Sequence, residues 1–71
     1  MKILKIRDKD EYITLGQLLK ATDIAGNGVE AKEIISDGEA SVNGETEIRR
    51  GRKLYDGDTV SCRGVEIKVV R

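Results

Sequence analysis

Apolar residues recur at helical spacing in two short stretches of the first half of the chain. The first set is Leu15, Leu18 and Leu19. Their i, i+3, i+4 spacing predicts a short helix with one apolar face. Thr14 is a good N-cap, and Gln17 stands three positions later as the other half of a capping box. We predict that this helix ends near Thr22, before the glycines that follow.

The second set has the same spacing and consists of Ala31, Ile34 and Ile35. Asn27 is placed to cap this helix, with Glu30 reaching back from the third helical position, and Gly38 is placed to end it. Two helices this short and this close in sequence predict an αα-hairpin. Neither would be stable alone, because isolated helices under about 12 residues are marginal in water.

Alternating apolar positions in the remainder predict short strands that support the helices. The predicted strands lie at Met1–Arg7, around Ala40–Val42, and at 60–62 and 65–69, with Leu54 in a further short segment. Turn signals separate them at Asn43-Gly44, Asp56-Gly57 and Arg63-Gly64. We therefore predict an α+β fold, in which a two-helix αα-hairpin packs on a small antiparallel β-sheet of three to five short strands.

Composition restricts the class of protein. The chain has 71 residues, of which 38% are hydrophobic and 37% charged, and we expect one small domain over residues 1–71. It has no histidine and a single cysteine, Cys62, so we expect no disulfide within the chain, no zinc site and no cofactor. Cys62 alternates with polar neighbours and is interpreted as a small buried hydrophobe rather than a reactive thiol.

Features of secreted, membrane-bound and catalytic proteins are missing from the sequence. The charged start, with Asp8–Glu11 as a solvent loop, does not resemble a signal peptide. No stretch approaches the roughly 20 apolar residues of a membrane span, so we expect no membrane association and a cytoplasmic location. Without histidine, a nucleophile motif or a nucleotide-binding glycine pattern, we expect a protein that is not an enzyme.

Charge is distributed unevenly, although the formal total is zero. Residues 1–47 carry six Lys/Arg and ten Asp/Glu, a balance of −4, whereas residues 48–71 carry seven and three, a balance of +4. Four cations fall within five positions: Arg49, Arg50, Arg52 and Lys53. Arginine binds phosphate with two parallel hydrogen bonds and stacks on bases, so this run predicts a polyanion-binding rim on a hairpin. The alternative is a solvated charged surface.

A second candidate site is the start of the second helix. Asn27 and Gly28 precede unpaired backbone N–H groups that favour an anion, and Lys32 lies one turn further along. The alternative is that the glycines only allow a tight turn between helices and that Lys32 is solvated. For Tyr12 and Tyr55, a place at the edge of the core is a simpler interpretation than stacking on a base.

The order of elements and several residues together resemble a known family, the αL RNA-binding motif. This small domain is named after small-subunit ribosomal protein S-four and is shared with pseudouridine synthases and bacterial tyrosyl-tRNA synthetases. The resemblance covers about residues 13–70. The matching positions are Asn27, Ala31, Ile34, Ile35, Gly38, Ala40, Val42-Asn43-Gly44, Asp56-Gly57-Asp58 and Val60.

Within that family the chain is similar to the free-standing, single-domain bacterial type. That similarity lies in Ile13–Gln17, in Ala31-Lys32 and in the run from Arg49 to Leu54. The resemblance implies RNA binding through the helical hairpin and the adjacent basic loop, typically to a structured RNA such as rRNA or a tRNA-like fold. It implies no catalysis, since in larger members other domains carry the chemistry.

The chain departs from the family pattern at two places. The family often has Arg near the start of the first helix and Ser-Arg at the start of the second, where this chain has Thr14 and Asn27-Gly28. Two phosphate contacts are therefore missing, and Lys32 with the Arg49–Lys53 run would supply the charge instead. Acidic side chains on and after the second helix would repel the RNA backbone and so reduce the surface that contacts RNA. These are Glu30, Glu33, Asp37 and Glu39.

These patterns lead to one hypothesis and two alternatives. The hypothesis is a monomeric RNA-binding domain that uses Asn27, Gly28, Lys32 and the run of Arg49, Arg50, Arg52 and Lys53. One alternative is a protein-binding adaptor on a ribosome or an assembly particle, with a degenerated RNA surface. The other is a dimer that pairs through the edge strand at Met1–Arg7 or through the last strand.

Overall fold

A computed structural model of the protein describes residues 1–71. It contains two helices and seven short strands, and the predicted α+β fold is confirmed. In chain order the elements are β1 (Lys2–Lys5), β2 (Ile13–Thr14), α1 (Leu15–Ala21), α2 (Gly28–Ser36), β3 (Ala40–Val42), β4 (Glu45–Thr46), β5 (Lys53–Leu54), β6 (Thr59–Cys62) and β7 (Val65–Val70).

Both helices begin at the predicted caps. Thr14 Oγ1 accepts from the Gln17 backbone N–H at 3.3 Å, and the Gln17 side chain accepts from the Thr14 N–H at 3.0 Å, which completes the capping box. At α2 the Asn27 side chain accepts from the Glu30 N–H at 2.8 Å. The Glu30 carboxylate reaches one residue further back than predicted, to the Gly26 N–H at 3.3 Å.

Gly38 ends α2 in the left-handed conformation, with φ +78°. Its N–H donates to the Ile35 carbonyl, and the Glu39 N–H donates to the Ile34 carbonyl, the two hydrogen bonds of a Schellman motif. This ending turns the chain directly from α2 into β3. The tight turns that follow have positive φ at both central residues, as the sequences Asn43-Gly44 and Arg63-Gly64 predict.

The larger sheet has five strands in the order β1-β7-β6-β3-β4. The pairs between β3, β4, β6 and β7 are antiparallel, as predicted, but β1 lies parallel to β7, with Lys2 opposite Ile67 and Lys5 opposite Val70. The sheet is therefore mixed rather than wholly antiparallel. No tight turn connects β1 to β7, so no local sequence signal sets the direction of this pair.

A separate two-stranded sheet pairs β2 with β5, with Ile13 opposite Leu54. It holds Lys53 and Leu54 against the two residues that precede α1. Leu54 is fully buried, while its neighbour Lys53 is exposed. This small sheet therefore positions the end of the cationic run at residues 49–53 beside the first helix.

One core joins the helices to the larger sheet. Fifteen buried apolar residues form a single cluster, which includes the leucine face of α1, the Ala31/Ile34/Ile35 face of α2 and the inward positions of the sheet. Cys62 belongs to it at 2% exposure, so it is the buried hydrophobe that its neighbours predict. Neither helix has the length and apolar character needed to cross a membrane.

Candidate functional site

The segment Arg49–Lys53, called the basic segment below, follows β4 and ends at the first residue of β5. It is not the loop of the Asn43-Gly44 hairpin, where the predicted basic rim would lie. Its backbone accepts two hydrogen bonds from the start of α1, at 2.9 Å each: Leu15 N–H to the Arg52 carbonyl and Gly16 N–H to the Arg50 carbonyl. The basic segment is therefore fixed to the first helix rather than to the hairpin.

Gly16, the second residue of α1, lies directly against Arg50. A Cβ at this position would lie 3.4 Å from the Arg50 carbonyl oxygen and 3.6 Å from the Arg50 Cβ, which is ordinary van der Waals contact. The Arg50 backbone is therefore packed against the start of the first helix.

A groove of about 230 Å³ lies where the two helices meet the basic segment; we call it the helix groove. Its walls include Gly16 and Lys20 of α1, Gly28 at the start of α2, and Arg50 with Gly51 of the basic segment. Arg50 forms no ion pair within the protein, whereas Arg49 and Arg52 do. The helix groove thus combines two cations with the first residue of α2.

Glu47 pairs with the other two arginines of the basic segment, Arg49 and Arg52. Its carboxylate accepts from Arg49 Nε at 2.9 Å, from Arg49 Nη2 at 3.0 Å and from Arg52 Nη1 at 2.8 Å. These side-chain hydrogen bonds, first from Arg49 and then from Arg52, lower the pKa of Glu47 to about 2, and the same pairing raises the pKa of Arg49. Glu47 is the one buried charged residue, at 7% exposure.

Arg49, Gly51, Arg52, Lys53 and Tyr55 line an open recess of about 560 Å³, called the arginine recess below. Gly51 belongs to both the arginine recess and the helix groove. The two depressions are therefore adjacent, and together they form one basic face.

An aromatic pair borders the arginine recess. The ring centroids of Tyr12 and Tyr55 lie 5.9 Å apart with the planes at 52°, and the Lys53 Nζ lies 5.0 Å from the Tyr12 centroid. Tyr12 is 37% exposed and Tyr55 48%. Both rings are thus more accessible than the edge-of-core interpretation requires.

The seven residues predicted for the site do not all lie together. Arg50 and Gly28 line the helix groove, while Arg49, Arg52 and Lys53 line the arginine recess. Asn27 caps α2 beside Gly28. Lys32 is exposed on α2 and lines neither depression.

Two residues of the site were not predicted, Lys20 and Glu47. Lys20 follows the leucine face of α1, and a helical projection would have placed it near Gln17, which also lines the groove. Glu47 lies two positions before Arg49, and this short spacing is the only feature of the sequence that indicates a contact with the cations. Among the acids expected to repel RNA, Glu39 is paired with Arg63 at 2.9 Å, which lowers its pKa.

Comparisons with known proteins extend these observations. The sequence model of the S4 domain matches residues 4–70. A Bacillus subtilis (strain 168) protein named "Probable ribosome maturation protein RlbA" is 52% identical over 54 residues, which are 76% of each chain. The Escherichia coli (strain K12) "Putative RNA-binding protein YbcJ" is 36% identical over 62 residues, 87% of this chain and 89% of its own.

Solved structures show the same architecture. The solution structure of YbcJ from E. coli, described as revealing an αL motif involved in RNA-binding, superposes with a TM-score of 0.75 at 31% identity. The alignment covers 100% of this chain and 89% of that one. The 30S ribosomal protein S4e of Thermoplasma acidophilum shares the fold, with a TM-score of 0.60 at 23% identity over 80% of this chain and 30% of its own.

Proposed function

Because the chain belongs to the S4 domain family, we propose that it is a non-enzymatic RNA-binding protein that holds the phosphate backbone of a structured RNA on its basic face. The helix groove would take one phosphate and the arginine recess the next part of the strand. The αL motif of its structural relative YbcJ, described as involved in RNA-binding, supports this proposal.

The observation that carries the proposal is the position of Arg50. Its side chain has no carboxylate partner, and it lines the same groove as Lys20 and Gly28. The start of α2 adds backbone N–H groups and the positive end of the helix dipole. Two cations beside such a helix start produce a local positive field that attracts phosphate although the chain is neutral overall.

The ion pairs of Glu47 are compatible with this role. An arginine side chain has five N–H donors, of which Glu47 engages two from Arg49 and one from Arg52. The remaining donors can still bind phosphate, and one carboxylate among four cations leaves the segment 47–53 with a balance of +3. Glu47 thus orients the guanidinium groups while lowering their combined charge.

Asn27 and Lys32 would lie at the border of the surface that contacts RNA. Asn27 fixes the start of α2 and thereby the position of Gly28 in the helix groove. Lys32 is exposed outside the groove and would contact a phosphate only if the strand continues along α2.

The name of one relative favours a ribosomal RNA as the target. The B. subtilis relative bears the name "Probable ribosome maturation protein RlbA" and is 52% identical over its aligned part. We therefore propose that the structured RNA is part of a ribosomal subunit or of a precursor of one.

Replacing Arg50 tests the proposal directly. We expect Arg50→Gln to weaken binding to a labelled ribosomal RNA hairpin about tenfold or more, because a hydrogen bond to a charged group contributes about 1.5–3 kcal/mol. Fluorescence anisotropy at about 50 mM salt measures the change. Lys68→Gln is the matched control, since Lys68 is an exposed cation on the outer face of β7.

Equal affinities for the Arg50→Gln and Lys68→Gln proteins would contradict the proposed site. The protein-binding adaptor remains the second candidate, favoured by the zero net charge and by Glu47, which pairs with two arginines of the basic segment. Capture of partners from a bacterial lysate, with and without ribonuclease, separates the two. Partners that survive ribonuclease treatment would indicate protein contacts, whereas partners lost with the RNA support the proposed function.

A further inference from the structure

Tyr55 occupies a position that the proposed phosphate contacts leave unused. It lines the arginine recess together with Arg49, Arg52 and Lys53, and 48% of the residue is exposed. An exposed aromatic ring within a ring of cations is a common arrangement in proteins that bind single-stranded nucleic acid, because the cations hold the backbone and the ring stacks on a base.

The neighbouring side chains hold this ring in place. Tyr12 meets Tyr55 at 52° with the centroids 5.9 Å apart, so the two rings pack at an angle instead of stacking in parallel. Lys53 Nζ lies over the Tyr12 ring at 5.0 Å and is thereby kept beside Tyr55. Tyr12 thus supports both the aromatic ring and one cation of the arginine recess.

The backbone of Tyr55 is fixed independently of its side chain. Its N–H donates to Asp58 Oδ2 at 2.8 Å, and its carbonyl accepts from the Asp58 N–H at 3.0 Å. The turn that carries the ring is therefore closed by hydrogen bonds from the Tyr55 main chain to the side chain and the main chain of Asp58. A substitution of the ring would leave the turn intact, which makes the side chain testable.

From these contacts we infer that the arginine recess binds one unpaired base of the RNA by stacking on Tyr55. The inference rests on the proposed function, since the strand must first be held at the helix groove. A base within a duplex is already stacked on its neighbours, so the ligand is a structured RNA with a bulged or looped nucleotide beside the bound backbone. Purines would bind better than pyrimidines because their rings are larger.

Three RNA hairpins with the same stem test the inference: one fully paired, one with a single bulged adenosine, and one with an abasic nucleotide at the bulge. The last two have the same charge and differ only in the base. We expect the adenosine bulge to bind about fivefold or more tighter than the abasic bulge. Tyr55→Leu should remove this difference, and Tyr55→Phe, which keeps the ring, should retain it.

The composition of the chain offers a direct second measurement. Tyr12 and Tyr55 are the only aromatic rings, because the sequence has no Phe, Trp or His. In an aromatic 1H–13C correlation spectrum of 13C-labelled protein, with unlabelled RNA, the signals therefore come from these two side chains alone. We expect the Tyr55 ring signals to move upfield with the adenosine bulge and to move much less with the abasic bulge.

The outcomes separate the two proposals. Equal binding of all three hairpins, lost on Arg50→Gln but unaffected by Tyr55→Leu, would overturn base stacking and leave the proposed function standing. Equal ring shifts with the adenosine and abasic bulges would also overturn it, since backbone contact would then explain the shift. If none of the three hairpins binds, both proposals fail. Thermal unfolding of Tyr55→Leu verifies that the variant folds.

Discussion

Glu47 is a buried acid surrounded by cations of its own loop. Its carboxylate accepts three side-chain hydrogen bonds from Arg49 and Arg52 and a fourth from the Arg49 backbone N–H. Removing this acceptor would leave the Arg49 and Arg52 side chains, which are 71% and 35% exposed, to be hydrated by solvent instead. Glu47 therefore influences both the folding of the basic segment and the direction of its arginines.

Replacing Glu47 should remove one source of pH dependence from the stability of the protein. The pKa of Glu47 is about 2 in the folded protein against an ordinary value of 4.5, so its contribution to stability is fully present above about pH 4.5. It is lost as the pH falls toward 2, because the protonated acid no longer pairs with arginine. We expect Glu47→Gln to be less stable than the wild type at pH 7 and equally stable near pH 2.

Urea unfolding of both proteins between pH 2 and pH 7 measures this difference. Glu45→Gln is the control, since Glu45 is exposed on β4 and forms no ion pair. A difference between wild type and Glu47→Gln that stayed constant down to pH 2 would show that the ion pairs do not stabilise the fold.

At the same scale, the sequence predicted which residues are cationic but not how they are oriented. The spacing of Arg49, Arg50 and Arg52 does not reveal that the first and last pair with Glu47 while the middle one has no ion pair and lines the helix groove. That division depends on side-chain conformations on either side of Gly51. Contacts of this kind are set by tertiary packing rather than by sequence spacing.

At the scale of elements, the sequence predicts the ends of helices and the turns, but it does not predict which distant strands pair. The caps at Thr14 and Asn27, the helix end at Gly38 and the Asn43-Gly44 turn each depend on a few adjacent residues, and the structure confirms them. The β2–β5 pair and the parallel β1–β7 pair join residues about 40 and 65 positions apart. No pattern within either strand specifies its partner.

The first strand provides a test of that long-range pairing. Ile6, just after β1, is 3% exposed, and its N–H donates to the Val70 carbonyl at 2.7 Å, whereas Ile3 within β1 is 70% exposed. We expect Ile6→Ala to lower the free energy of unfolding by about 2–4 kcal/mol. Ile3→Ala should change it by less than about 0.5 kcal/mol.

Thermal or urea unfolding of the two variants provides the measurement. The loss expected for Ile6→Ala would be a large part of the free energy of unfolding, because the hydrophobic core of a domain of this size supplies only about 3–5 kcal/mol. If both variants lost the same small amount, β1 would not be part of the cooperative core.

At the scale of the whole molecule, zero net charge and a basic face coexist. The C-terminal third carries the positive balance, and the β2–β5 pair brings its basic segment against the helices. The total charge therefore predicts weak non-specific attraction to nucleic acid, while the local field predicts binding at one place. The sequence indicated the imbalance between the halves, and the fold determines which face carries it.

The salt dependence of RNA binding measures how many cations take part. If four of Lys20, Arg49, Arg50, Arg52 and Lys53 contact phosphates, the logarithm of the association constant should fall with the logarithm of the salt concentration at a slope of roughly −3 to −4. Anisotropy titrations from about 50 to 200 mM salt provide the slope, and Arg50→Gln should reduce its magnitude by about 1. A slope near zero would indicate that phosphate contacts do not drive binding.

The buried position of Cys62 has a practical consequence. Burial excludes the thiol from solvent and raises its pKa, so the sulfur is both sheltered and protonated while the core is closed. Since the chain has no other cysteine, a maleimide added to the native protein can react only during opening of the core. The rate at which maleimide labels this one sulfur atom therefore reports how often the core opens, and no engineered cysteine is required.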